Sequence, residues 1–318
     1  MRFAVCLAPD NPTDKIYNIF DVYFRNNIRI LFLAKPNSDH QSYKQIENFY
    51  SNFKYLTIDE QNRLYPELFE SVDDECISRI NIGILYAYAN SCEIVFLVDL
   101  DYGTEINYLF EKLAVKNYLN TKINADIYNT NDYIFDPYQP TTSNQIWHRG
   151  FPWEKLICRN YFIKEKNFSI CPLVQAFLIN GSADVDNLGK IFFQPDVNFS
   201  MYTPFTSNAS MPFNCKNTLI HRDAIPYYFV FPSLGNIGDI FGSYIYQLYH
   251  KQTVLYCHPT VTRFKNNISN LTELNQDIKD QQIIAEFLNS PQKYIDILPN
   301  NSLISLEKYR KNFPEVNF

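Results

Sequence analysis

Asp99 and Asp101 set the first chemical question. Ile94-Val95-Phe96-Leu97-Val98 is a continuous apolar run, and Asp99-Leu100-Asp101 follows it at once. Such a run reads as a buried strand. Carboxylates two positions apart at its end point to the same side. Two like charges that close need a cation or hydrogen-bond donors between them. Hard oxygen ligands at an open rim suit Mg²⁺ or Mn²⁺, commonly shared with substrate phosphates. The same pair also reads as two solvated acids at a strand end. His258 follows a late apolar strand in Tyr256-Cys257-His258-Pro259. A neutral imidazole there would complete a metal site begun by Asp101. A hydrogen-bonded surface histidine is the plainer alternative.

A second constellation is Trp147-His148-Arg149-Gly150-Phe151-Pro152-Trp153. Arginine offers oxyanions a planar fork, and the indole of Trp147 offers a sugar or base an apolar platform. The alternative is a packed aromatic loop around a structural Arg149. Asp184-Val185-Asp186 follows Asn180-Gly181-Ser182, a turn composition, and reads as a turn or helix cap.

Other chemistries lack their motifs. The chain has only 8 Gly, with no G-x-G-x-x-G and no P-loop. There is no H-E-x-x-H, no G-x-S-x-G and no C-x-x-C. The 28 Lys and Arg are scattered against 34 Asp and Glu, which argues against a nucleic-acid partner. A basic cleft for a small anion remains compatible with the net charge of −6. The 7 Cys are odd in number and widely spaced, which suits a reducing compartment and a cytoplasmic protein. No apolar stretch approaches the ~18 residues of a membrane span, and the first residues are too short a run for a signal peptide.

The elements that must position these residues follow from periodicity. Residues 3–7, 28–34 and 93–98 read as apolar strands. Residues 14–27, 41–51, 59–70, 78–90 and 106–117 carry helical spacing. Strands alternating with helices imply an α/β fold with a mostly parallel central sheet flanked by helices. Ligands of such sheets lie beyond the carboxyl ends of the strands. That rim would gather residues 8–13, with Ala8 and Pro9, residues 35–40, with Lys35, and residues 99–105. Residues 126–152 read as a long irregular segment. Further strands are expected at 174–178, 218–221 and 253–256, and a helix at 240–250. The last part, 271–318, reads as a helical C-terminal extension packed on a domain formed by residues 1–270.

Several motifs in order resemble one family. Arg79-Ile80-Asn81-Ile82-Gly83-Ile84-Leu85-Tyr86-Ala87 precedes Val98-Asp99-Leu100-Asp101. Asp136-Pro137-Tyr138 leads to the Trp147–Pro152 segment. Gln175-Ala176-Phe177-Leu178-Ile179-Asn180-Gly181 leads to Asp184-Val185-Asp186. Pro212-Phe213-Asn214-Cys215-Lys216-Asn217-Thr218-Leu219 precedes Asp239-Ile240-Phe241, and Pro259-Thr260-Val261 precedes Lys265-Asn266. As a set they resemble the STELLO-type glycosyltransferase-like proteins, and more distantly the reversibly glycosylated polypeptides, which include UDP-arabinopyranose mutases. The resemblance spans about residues 53 to 290. It implies a GT-A-like fold, a nucleotide-sugar donor and Mn²⁺ or Mg²⁺. Asp99 and Asp101 match the D-x-D, joined by His258 as a metal ligand. Arg149 matches an arginine that the family links to self-glycosylation. Asp239 matches an acidic residue that would act as base or as a stabilising charge, and equally reads as a helix cap after Gly235-Asn236-Ile237-Gly238. Ala8, Pro9, Lys35, Arg79, Trp147 and Asn217 complete the expected donor site. A second arginine of the mutase-like relatives is replaced by Leu156, which weakens that branch.

The implied activity is metal-dependent transfer from a nucleotide-sugar, a UDP-sugar, to a glycan, lipid-linked or protein acceptor. The alternatives are a UDP-sugar mutase with self-glycosylation and a non-catalytic scaffold.

Overall fold

The apolar runs become neighbouring strands. In a computed structural model of the chain, residues 14–15, 18–22, 73–76, 101–103, 107–118, 142–144, 160–161, 195, 201–202 and 265–270 fall outside the description; the rest are described. The strands are β1 (Arg2–Leu7), β2 (Arg29–Leu33), β3 (Phe53–Leu56), β4 (Ile94–Val98), β5 (Thr104–Ile106) and β6 (Ile123–Asn129). Then come β7 (Ile163–Ile170), β8 (Val174–Gly181), β9 (Phe205–Ser207), β10 (Asn217–His221) and β11 (Val254–Arg263). Among the described residues they form one sheet in the order β3-β2-β1-β4-β10-β8-β11-β9-β6-β7, with β5 on β11.

The centre of this sheet is largely parallel. β3, β2, β1 and β4 pair in parallel. β10 is antiparallel to both β4 and β8, and β8 is parallel to β11. Hence β1 to β4, β8 and β11 point one way, and β10 alone is inverted among them. Both faces are covered. Phe3 and Val5 enter one hydrophobic cluster, while Ala4 and Cys6 enter the other. That alternation of an unbroken apolar strand is what a sheet buried on both sides requires.

The helices are α1 (His40–Phe49), α2 (Ile58–Leu64), α3 (Pro66–Phe69), α4 (Ile80–Ala89), α5 (Asn187–Phe193), α6 (Gly238–Tyr249), α7 (Leu271–Asn289), α8 (Tyr294–Ile297) and α9 (Asn300–Arg310). α1 is capped by Asp39, which accepts the Ser42 amide at 3.1 Å. α2 opens with a Thr57/Glu60 capping box. The helix expected over 59–70 is instead two. Pro66 cannot continue the ladder and pushes Tyr65 out of helical geometry, to φ −138° and ψ 60°. α4 is apolar on almost every face because it is buried against β1 and β2. Its Gly83 lies where a side chain would collide with Val5.

The sequence reading places 93–98 as the third strand. It is the fourth, because the four-residue β3 is too short to show a pattern. The irregular segment expected from 126 begins later, since residues 123–129 are β6. The helix expected at 106–117 lies almost wholly outside the described residues, as does the middle of the one at 14–27. The late strand extends well past residue 256, to Arg263. The C-terminal helices share the sheet's own core: Ile284, Phe287, Leu306, Tyr309 and Phe313 cluster with Val95 and Leu97. No helix among the described residues is long and apolar enough to cross a membrane.

Candidate functional site

Strand direction gathers a set of charged residues at one rim. Asp99 ends β4, Ser182 to Asp186 follow β8, and Arg263 ends β11. The loop before the inverted β10 brings Lys216 to the same edge. There the Asp99 amide donates to the Lys216 carbonyl at 2.9 Å. A cavity of about 500 Å³ opens at this rim. Its wall includes Arg149, Asp184, Lys190, Lys216, Asp239 and Arg263. This is the carboxyl-end position where open α/β sheets hold ligands.

Arg149 is the hub. Gly150, next to it, adopts φ 85°, a left-handed turn that also lets the chain pass close to Ile240 of α6. The Arg149 amide donates to the Asp184 carbonyl at 2.9 Å. Its Nε–H is shared between the Asp184 carboxylate oxygens at 3.1 and 3.3 Å, and Nη2 donates to Asp184 at 3.1 Å. Nη1 and Nη2 each donate to Asp239 at 3.0 Å, and Nη1 also donates to the Asn236 carbonyl. All five N–H groups of the guanidinium are thereby engaged. Asp239 stands in the first turn of α6 and also accepts the Cys215 amide at 3.2 Å. Asn214 donates to Asp184 at 2.6 Å.

The triad is buried, so its charges survive only by pairing. Burial opposes the Arg149 charge, but Asp184 and Asp239 outweigh it and hold the guanidinium well above its usual range. Burial likewise opposes both carboxylates. Arg149, with Lys216, holds Asp184 far below the usual carboxylate range, and Arg149 holds Asp239 below it. His148 is neutral, because burial pulls its imidazole down to about 4.

A second carboxylate group lines the same cavity. Asp186 caps α5 through the Gly189 amide at 2.8 Å, which fits the cap reading of its motif. It also accepts both the Trp147 and Trp153 indoles at 2.7 Å each. From α7, Asp277 accepts the Asn187 amide at 2.5 Å and the Asn187 side-chain amide at 2.9 Å. Burial raises the carboxyl pKa of both Asp186 and Asp277, and for Asp277 the Asp186 charge adds to it.

Of the residues expected from sequence, Arg149 and Asp239 are brought into direct contact at the cavity. Trp147 supports the wall through Asp186, and its ring packs edge-on against Phe193. Asp99 lies beside the wall, 3.4 Å from Arg263 Nη2 and 4.0 Å from Lys216 Nζ. Asp101 lies outside the described residues. His258 is not at a strand end; it sits half-buried within β11, five positions before Arg263, and burial lowers its pKa. Arg79 is buried away from the cavity lining, donating to Gln61 at 3.1 Å and stacked 4.8 Å from the Phe69 ring. Asn217 is buried between the Leu178 carbonyl at 3.2 Å and the Thr260 hydroxyl at 3.0 Å. Ala8 is buried in a bond to Leu33, Pro9 accepts the Tyr43 hydroxyl at 2.9 Å, and Lys35 pairs with Asp10 at 3.0 Å.

These positions bear on a divalent cation. Asp99 already faces two cationic side chains, and His258 sits inside a strand. Among the described residues no group of three or more His, Cys, Asp or Glu side chains could hold a metal ion. Asp101, the second carboxylate of the expected D-x-D, lies outside the residues to which this applies.

Sequence reasoning gave Asp184 only a turn or cap reading and assigned no site role to Lys190, Lys216, Arg263 or Asp277. Arg263 had a signal, a lone cation closing an apolar β run. Asp277 had none, since its role depends on α7 crossing α5. No family model matches the chain, and no curated protein matches it.

Proposed function

We propose that the chain transfers a sugar from a nucleotide-sugar donor, a UDP-sugar, to an acceptor hydroxyl. The reading is supported chiefly by the rim cavity, which gathers two fixed carboxylates and several cationic side chains in one wall. Its volume suits a ligand of nucleotide-sugar size. The ordered motifs that resemble the STELLO-type proteins support the same reading.

The chemistry asks for charge of both signs. As the glycosidic bond breaks, its electron pair leaves on the diphosphate, and the sugar carbon becomes oxocarbenium-like. Cationic side chains fixed in advance stabilise the leaving group without reorganising. Asp239, locked by Arg149, supplies a negative charge toward the sugar; held ionised so firmly, it is a poor proton acceptor. The acceptor's proton is better taken by Asp277, whose proton affinity burial raises. Self-glycosylation at Arg149 is disfavoured relative to transfer. Its nitrogens have no free donor position, and two carboxylates hold its proton in place.

Release of UDP from a panel of UDP-sugars tests the reading. Slow donor hydrolysis is expected, falling about 100-fold or more in Asp239→Asn. If no donor is cleaved, the transfer reading is wrong.

A further inference from the structure

Four carboxylates of the cavity wall already accept hydrogen bonds, while several of its donors have room for more. Asp184 and Asp239 take the Arg149 guanidinium, the Asn214 amide and the Cys215 amide. Asp186 takes two indoles and a helix amide, and Asp277 takes both amides of Asn187. Among the described residues, Lys216 Nζ comes no nearer to a carboxylate than 3.8 Å from Asp184 and 4.0 Å from Asp99. Neither distance is a hydrogen bond. Among the described residues, Lys190 Nζ makes one bond, to the Asn187 side chain at 3.2 Å. Arg263 Nε is buried with no partner among the described residues.

These three cations come from three separate elements: α5, the loop before β10, and the end of β11. All three line the one cavity. Burial lowers the Lys190 pKa; Asp184 opposes this, and the charges of Lys216 and Arg149 add to it. These cations share the wall with Asp184, Asp186, Asp239, Glu273 and Asp277, and the donors that those acids leave unused are stabilised by an oxyanion carrying several acceptor oxygens.

We propose that Lys190, Lys216 and Arg263 form a diphosphate subsite that neutralises the anion with the chain's own cations, so that its binding requires no divalent metal. The assignment rests on the nucleotide-sugar reading for what the diphosphate is attached to. It differs from the D-x-D expectation in giving Asp99 a structural partner, Arg263, instead of a metal.

Inorganic pyrophosphate is the probe, titrated calorimetrically into the full chain in EDTA and again with Mn²⁺. Saturable binding in EDTA is expected, weakening as salt is raised. Lys216→Met and Lys190→Met should each weaken it at least about 10-fold, and Lys216→Arg should largely retain it. Lys216 is partly exposed, and an unchanged melting temperature will show that its variants fold. Binding only with Mn²⁺, or binding indifferent to both lysine variants, overturns the subsite. The two readings fail separately. Pyrophosphate bound in EDTA with no UDP-sugar cleaved would refute transfer and leave the subsite. UDP-sugar cleavage that needs Mn²⁺, with no pyrophosphate bound in EDTA, would do the reverse.

Discussion

Arg149 shows how one side chain can be visible in sequence while its partners are not. An arginine between Trp147 and Gly150 suggests a fork offered to a ligand. The structure engages that fork with Asp184, Asp239 and a carbonyl, so Arg149 orients these two carboxylates within the wall. Arg149→Met leaves two carboxylates buried without a counter-charge and is expected to destabilise the fold by about 3–5 kcal/mol. The pH dependence separates this from a simple packing loss. In the native chain both carboxyl pKa values are depressed. The stability they contribute is present above the unfolded value near 4 and is lost as pH falls through the lower folded values. In Arg149→Met burial acts unopposed by the guanidinium and raises them. The variant's deficit should then shrink as pH falls from 7 to 4, as measured by denaturant unfolding at each pH. A deficit that stays constant across this range would show that the triad's charges are not the cause.

At the scale of elements, α5 is a seven-residue helix that could not persist alone. It is held at its first turn by two carboxylates, its own Asp186 and Asp277 from α7. They complete the amide bonding of its N-terminus and favour its dipole. That latch is what carries Lys190 to the cavity. Asp277→Ala should cost about 1–2 kcal/mol and speed hydrogen exchange of the α5 amides, with β1 and β4 unchanged. Uniform acceleration throughout the chain would mean that Asp277 supports the whole fold and not this helix. β11 teaches a parallel lesson. The strand irregularity between Cys257 and Val261 absorbs His258 and Pro259, so the strand continues to the rim and ends on Arg263.

At the scale of the molecule, the C-terminal helices are part of the core. Tyr309 packs on Phe229 with ring centroids 5.0 Å apart, and its hydroxyl donates to Ile225 at 3.0 Å. Phe313 packs edge-on against Tyr88 at 4.8 Å. Deleting residues 300–318 removes Leu306, Tyr309 and Phe313 from a buried cluster. Each contributes about 1.5–3 kcal/mol, against a total stability of about 5–15 kcal/mol for a typical protein. The shortened chain is expected to lose its cooperative thermal transition in circular dichroism. A transition like that of the full chain would show that the tail is dispensable.

The sequence by itself determined the α/β class, the parallel run of buried strands and the rim on which their ends meet. Continuous apolar runs have few ways to be buried, and their carboxyl ends must share one edge. It also singled out Arg149, from its compact Trp-flanked motif, and Asp239, from the resemblance to a family's motif. The tertiary structure alone decided which charges neutralise one another. Asp184 meets Arg149 across 35 positions of chain, Asp239 meets it across 90, and Asp277 meets Asn187 across 90. Such pairings leave no periodic trace. They are set by the order in which strands enter the sheet, since Coulomb energy depends on distance in space and not on separation along the chain.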